Sequence, residues 1–229
     1  MRITSLVLFT SLVLAASASA AHAEGDGMSM GSLGSFNGGI TLQSGRPFPQ
    51  QGINLTDRTT SEVSGTVCYG SLCGGVWHAE TGKKSLNETD YTLNYGVDAG
   101  KAHVDFQVAG YAVAGKNIPE GKVTVSYPIS GSCSSFASYE KLGGGFKETV
   151  LEAGGTCSIK LSERVSLGVT PAIAHSAALK AVTVNFNGDL SYQLNDHASV
   201  FAFTKAYRTL TSIQDGGHVM IGVGGRINY

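Results

Sequence analysis

Charge is scarce in this sequence. Asp, Glu, Lys and Arg make up 14% of its 229 residues, against about 25% in an ordinary soluble domain. The two signs nearly cancel at a net charge of −1. No Lys/Arg cluster is interleaved with aromatics, so the electrostatic case for a nucleic-acid partner is missing. Proline is rare, with 5 residues, whereas glycine supplies 31. Beyond the N-terminal segment no apolar run approaches the ~20 residues that a spanning helix needs. Cysteine is limited to 4 residues, and none sits beside a His pair at zinc-site spacing. No motif supports a cofactor or a metal.

What is present begins with "MRITSLVLFTSLVLAASASAAHA". Arg2 precedes an apolar stretch from Leu6 to Ala16, and small residues follow up to Ala21-His22-Ala23. That order is the signature of a secretory signal peptide over 1–23, cleaved after Ala23. The expected organisation is then a flexible N-terminal tail over 24–34 and one all-β domain over 35–229.

Export changes how the cysteines read. In "VCYGSLCGG" a two-residue turn at Gly70-Ser71, a Gly-first pair suited to type II′, sets Tyr69 against Leu72 and Cys68 against Cys73. Cys133 and Cys157 are equidistant from Gly145, so a hairpin turning at "LGGGF" opposes them as well. Opposed residues are close enough for disulfides, which persist in an oxidising compartment. Both pairs are structural candidates, oxidised or as free thiols.

The dominant pattern is a period of two. In "VTVNFNGDLSYQL" Val182, Val184, Phe186, Gly188, Leu190 and Tyr192 alternate with Thr183, Asn185, Asn187, Asp189, Ser191 and Gln193. "TDYTLNYGVD" sets Tyr91, Leu93, Tyr95 and Val97 against Asp90, Thr92, Asn94 and Asp98. "AHVDFQVAGY" does the same with Val104, Phe106 and Val108 against His103, Asp105 and Gln107. Such strands outlast the typical five or six residues of soluble sheets and suit a tilted crossing of a bilayer.

Twelve strands are expected, near 35–43, 60–69, 72–81, 88–98, 101–113, 120–128, 133–142, 147–161, 164–175, 181–193, 197–208 and 217–229. Short turns at 70–71, 99–100, 162–164 and 195–196 alternate with longer connections at 44–59, 82–87, 114–119 and 209–216. Two places strain the scheme: the 142–145 connection is short for its side, and "KETVLEAG" also reads as a short helix. A soluble sandwich or lipocalin-like barrel would turn its polar face to water and carry more Lys and Glu. An antiparallel transmembrane β-barrel reverses the faces, with lipid outside and a polar lumen, and only a closed sheet satisfies its backbone there.

The closing "GVGGRINY" carries Val223, Gly225, Ile227 and terminal Tyr229 on one parity. It resembles the C-terminal assembly signature of bacterial outer-membrane barrels. The loop "SGRPFPQQG", then "GGVW" and "ETDY", are similar to the small TorF-like porins, although the Arg-Gly run in the first strand of that group is not evident. The resemblance implies residence in the bacterial outer membrane, contact with its lipid, and delivery by the outer-membrane assembly machinery through the last strand.

A barrel of this size implies a narrow channel for ions or small polar solutes. The pore-lining candidates are Asp90, Asn94, His103, Asp105, Glu148, Glu152, Lys160, Asn185, Asp189 and Arg226. On the same parity, Glu62, Asp98 and Glu140 add acid and Lys122 adds base, so the expected lumen is acidic and favours cations. Loop 44–59 offers Arg46 and Arg58 as constriction candidates or as part of a surface loop. Trp77 shares parity with Cys73. A closed structural or surface-binding barrel is the alternative.

Enzyme chemistry finds no support. The G-x-S-x-G match, "GMSMG" at 27–31, lacks the strand and helix of a nucleophile elbow. His175 and Ser176 are strand neighbours on opposite faces. His103 and Asp105 share a face without a nucleophile. The His-x-Ser-Asn-Gly run of the outer-membrane phospholipases is absent.

Overall fold

The computed structural model describes residues 34–45, 47–48, 53–54, 56, 58–113, 115–144, 147–211 and 217–229. The expected signal peptide, the "GMSMG" stretch, Arg46 and Gly145 lie outside the described residues, as does the expected tail apart from Gly34.

Every long element is a strand. These are β1 (Ser35–Ser44), β4 (Thr59–Tyr69), β5 (Leu72–Glu80), β6 (Glu88–Ala99), β7 (Ala102–Val113), β8 (Lys116–Ser130), β9 (Cys133–Leu142), β10 (Thr149–Lys160), β11 (Val165–Ser176), β12 (Ala181–Asn195), β13 (Ala198–Thr211) and β14 (Gly217–Asn228). They form one closed barrel of twelve strands, each antiparallel to its chain neighbour, with β1 between β4 and β14. The seam is fastened by reciprocal backbone bonds between Phe36 and Tyr229, at 2.6 and 2.7 Å. Two short strands, β2 (Pro47–Phe48) and β3 (Ile53–Asn54), make a hairpin within the β1–β4 connection. Closure removes sheet edges, which is the condition for a sheet to cross a lipid bilayer.

The period-two pattern decides which face is which. Leu93, Val108, Leu151 and Val223 are about half exposed and Val219 is 73% exposed, whereas Thr60, Thr183 and Ser176 on the opposite parity are fully buried. The outside is therefore apolar and the inside polar, the reverse of a water-soluble barrel. Tyr69, Tyr95, Tyr127, Tyr192 and Tyr229 are exposed on the outside toward the short-turn end, where amphipathic rings suit a membrane interface.

The cysteine register is as the sequence implies. Cys68 pairs with Cys73 and Cys133 with Cys157, and both pairs are disulfides. Gly70 takes φ +56° at the first central position of its turn, which glycine adopts without steric cost. The two bridges face opposite ways. Cys68–Cys73 lies between the outward pair Tyr69 and Leu72 and the lumenal pair Thr66 and Gly75, on the inner parity. Cys133–Cys157 shares the outer parity of Tyr139 and Leu151.

Two expectations are corrected. The connection expected at 114–119 shrinks to residues 114–115, because Lys116 to Pro119 already pair with Val113 to Gly110. "KETVLEAG" does not form a helix: from Thr149 onward it pairs with β9 on one side and β11 on the other, and two ladders outweigh local propensity.

Candidate pore interior

The inner surface is set by register. Asp90 stands between Trp77 and Tyr111, and Asn94 between Cys73 and Gln107. Asp105 lies between Gly96 and Thr124, and Glu152 between Ser138 and Ala174. Asn185 lies between Ala172 and Tyr207, Asp189 between Gly168 and Phe203, and Arg226 between Gly39 and Ser199. Lys160 pairs with Ser166 at the short-turn rim. All of these share the inner parity.

Exposure divides this surface along its length. Toward the short turns Asp98, Lys160, Gln193 and Arg226 are exposed. Toward the opposite rim Gln43, Thr60, Glu88, Ile118, Glu120, Leu142, Val150, Ser176, Thr183, Tyr207 and Met220 are buried. The interior is thus more open toward the short turns and packed toward the opposite rim.

Charge is uneven around the circumference: β6 to β10 hold most of the carboxylates together with Lys116, Lys122 and Lys160, while Glu62 and Asp189 lie with Lys205 and Arg226 on the remaining strands. One wall, β6 to β10, carries Glu88, Asp90, Asp98, Asp105, Glu120, Glu140 and Glu152. Glu120 accepts from Gln107 Nε2 at 3.0 Å and from Tyr111 Oη. Glu152 accepts from Asn185 Nδ2 at 3.3 Å. Lys122 meets Glu140 at 3.5 Å, an ion pair within the acidic wall itself. Lower down, His103 Nδ1 contacts Asp98 at 2.6 Å and its Nε2 contacts Asp105 at 3.3 Å, so the imidazole bridges two carboxylates.

The opposite wall is different. β13 sends Phe201, Phe203 and Lys205 inward beside Gly224, Gly222 and Met220 of β14. A Cβ at Gly222 or Gly224 would overlap the ring of Phe203 or Phe201, so both rings lie against bare backbone. Lys205 Nζ sits 5.4 Å above the Phe203 centroid and Arg226 Cζ 5.0 Å above that of Phe201, a cation–π arrangement that holds both cations to their own wall.

Not every candidate belongs to the open lumen. Glu148 is 3% exposed and accepts from Ser176 Oγ at 2.9 Å, Ala178 N at 3.0 Å and Thr149 N at 2.7 Å, fastening the β11–β12 connection to the start of β10. Arg58 is exposed beside Thr56 and Thr60. His175 points outward while Ser176 is buried within, so they form no dyad. Val223, Gly225, Ile227 and Tyr229 line the outer face of β14, and Tyr229 stacks on His197 at 4.9 Å.

Sequence reasoning missed Glu88, Glu120, Lys116 and Lys205 as inner-face charges. For Lys205 the reason is local: β13 turns two phenylalanines inward and Ala202, Thr204 and Ala206 outward, so hydrophobicity does not reveal its faces. The signal that could have found it is chain pairing with β14, whose glycines leave room for those rings.

Closed, antiparallel, apolar outside and polar within, the molecule has the architecture of an outer-membrane barrel. No family model matches the chain, and neither does a curated protein. Among solved structures the fold is similar to the NanC porin, at 8% identity and TM-score 0.61 over 82% of this chain and 98% of that one. It is also similar to the KdgM porin in complex with disordered oligogalacturonate, at 10% identity and TM-score 0.59 over 85% and 99%. The outer membrane protein Omp33 of Acinetobacter baumannii follows, at 9% identity and TM-score 0.51 over 87% and 100%. These likenesses establish a porin fold.

Proposed function

We propose that the chain is a bacterial outer-membrane channel for passive diffusion of ions and small polar solutes, with a lumen that favours cations. The observation that carries this reading is the inner face itself: a largely polar surface inside a closed ring, interrupted by Phe201 and Phe203 and richer in carboxylates than in Lys and Arg. Barrels of about eight strands fill with side chains and those of sixteen or more hold an open channel; twelve strands fit a narrow one. Rings of carboxylates lower the free energy of a permeating cation and raise that of an anion. Val223, Gly225, Ile227 and Tyr229 on the last strand suit recognition by the assembly machinery that inserts such barrels, and the apolar exterior suits outer-membrane lipid.

The packed zone of Gln43, Thr60, Glu120 and Thr183 favours one other reading, a closed structural or surface-binding barrel. Single-channel recording of the refolded chain in a planar bilayer separates the two. Reproducible, voltage-stable steps are expected. Verified folded insertion without steps contradicts the channel and leaves the closed barrel.

A further inference from the structure

β13 shows unlike faces to the two sides of the barrel wall. Inside it carries Phe201, Phe203 and Lys205; outside it turns Ala202, Thr204 and Ala206, and then Arg208. The strands beside it turn larger residues out, Phe186 and Leu190 on β12 and Ile221 and Val223 on β14, all of them exposed. Small side chains between two rows of large ones leave an open groove of about 780 Å³ on the outer surface over Ala202 and Thr204, and Ala206 continues it toward Arg208. Neighbouring strands are about 4.8 Å apart, so the two rows stand about 10 Å from one another.

Arg208 ends the small-residue row at a definite depth. Tyr192, exposed toward the short turns, pairs with Val200, and Val184 pairs with Arg208. Eight residues of a strand tilted by about 40° climb roughly 20 Å, against an apolar band of about 25 Å in outer-membrane barrels. Arg208 is therefore exposed at the interface on the side of the longer connections, the side that faces the cell exterior in such barrels. Lys180, exposed in the β11–β12 connection, adds a second cation at that rim. No carboxylate of β11 to β14 faces outward, since Asp189, their one acid, lies on the inner parity. This part of the lipid-facing surface is apolar below and cationic above.

We propose that the β12–β14 face binds a phosphorylated lipid of the outer leaflet, with an acyl chain in the groove over Ala202, Thr204 and Ala206 and the phosphate held by Arg208. The inference goes beyond the channel reading and stands whether or not the lumen conducts. A guanidinium takes a phosphate through two parallel N–H bonds, and the groove sets the acyl chain directly below that contact. A second copy of the chain suits the face less well. Copies related by a twofold axis along the membrane normal meet with equal residues at equal depth, which sets Arg208 against Arg208 with no outward carboxylate to pair them. Two convex walls would also touch at the rows of large residues and leave the groove between them unfilled.

The test is native mass spectrometry of the refolded full barrel, released from detergent micelles that contain equal amounts of dioleoyl phosphatidic acid and dioleoylglycerol, lipids that differ only in the phosphate. One phosphatidic acid per barrel is expected, retained over dioleoylglycerol by about fivefold, the factor that one basic residue supplies at a lipid surface. Arg208→Gln should cut that preference to about twofold or less, and Arg208→Lys should keep most of it. Ala202→Phe/Ala206→Phe, which fills the groove and keeps Arg208, should lower retention of both lipids. Equal retention of the two lipids by the wild-type chain, a preference that Arg208→Gln leaves intact, or retention untouched by filling the groove overturns the inference. A lipid-free two-copy assembly as the main species overturns it as well.

Discussion

The β6–β10 wall and the β13–β14 wall share one strand geometry and hold their charges by different means. On the first, carboxylates are fixed by polar neighbours, Tyr111 and Gln107 on Glu120 and Asn185 on Glu152. On the second, Lys205 and Arg226 rest on Phe203 and Phe201, which rest in turn on the bare backbone of Gly222 and Gly224. A neutral hydrogen bond orients a carboxylate without cancelling it, and an aromatic face does the same for a cation. Lys205 and Arg226 thereby share a lumen with carboxylates without forming salt bridges, whereas Lys122 pairs with Glu140 at 3.5 Å.

The sharpest way to break the contrast is to deny the rings their seat. Gly222→Leu would drive a side chain into Phe203 and against the Leu42 carbonyl. The expected cost is about 3 kcal/mol, read as a lowered urea midpoint of the barrel in lipid vesicles. Adding Phe203→Ala should recover part of it, since the ring clash goes and the backbone clash stays. Glu148, just before β10 and outside the open lumen, is a structural carboxylate whose three donors lose their acceptor in Glu148→Ala. A loss of about 2 to 3 kcal/mol is expected, with ion selectivity changed less than by substitutions deeper in the lumen.

Smaller effects sharpen the comparison. The Cys133–Cys157 bridge closes a sequence separation of 24 and Cys68–Cys73 one of 5. Replacing the first pair by serine should cost about 1 kcal/mol more than replacing the second, since longer loops lose more entropy on closure. Paired urea titrations of the two double variants check this. Finally, Glu120→Gln/Glu140→Gln/Glu152→Gln should lower the cation-to-anion permeability ratio by about threefold, and Lys205→Gln/Arg226→Gln should raise it. If both variants move the reversal potential the same way, the two walls are not electrically distinct.

How legible all this was in the sequence varied along the chain. Where outward residues are large and inward ones polar, as from Val182 to Gln193, strand limits and faces came through within a residue or two. The cysteines fixed the register of two hairpins because a disulfide needs direct opposition. Lys116 to Pro119 read as loop because Pro, Asn and Lys are poor strand formers, and pairing with β7 overrode that preference. The aromatic wall stayed hidden for a different reason. Its defining contact, rings over glycines, joins two strands, and one-dimensional alternation within β13 or β14 carries no trace of it. Glu148 read as a lumenal acid by parity, but its connection-fastening role depends on Ala178, thirty residues away.

The most direct test of the account is the reversal potential of the refolded wild-type chain in a planar bilayer under a KCl gradient. The account predicts voltage-stable steps whose reversal potential lies on the cation-selective side. A potential on the anion-selective side, or verified insertion without steps, contradicts it.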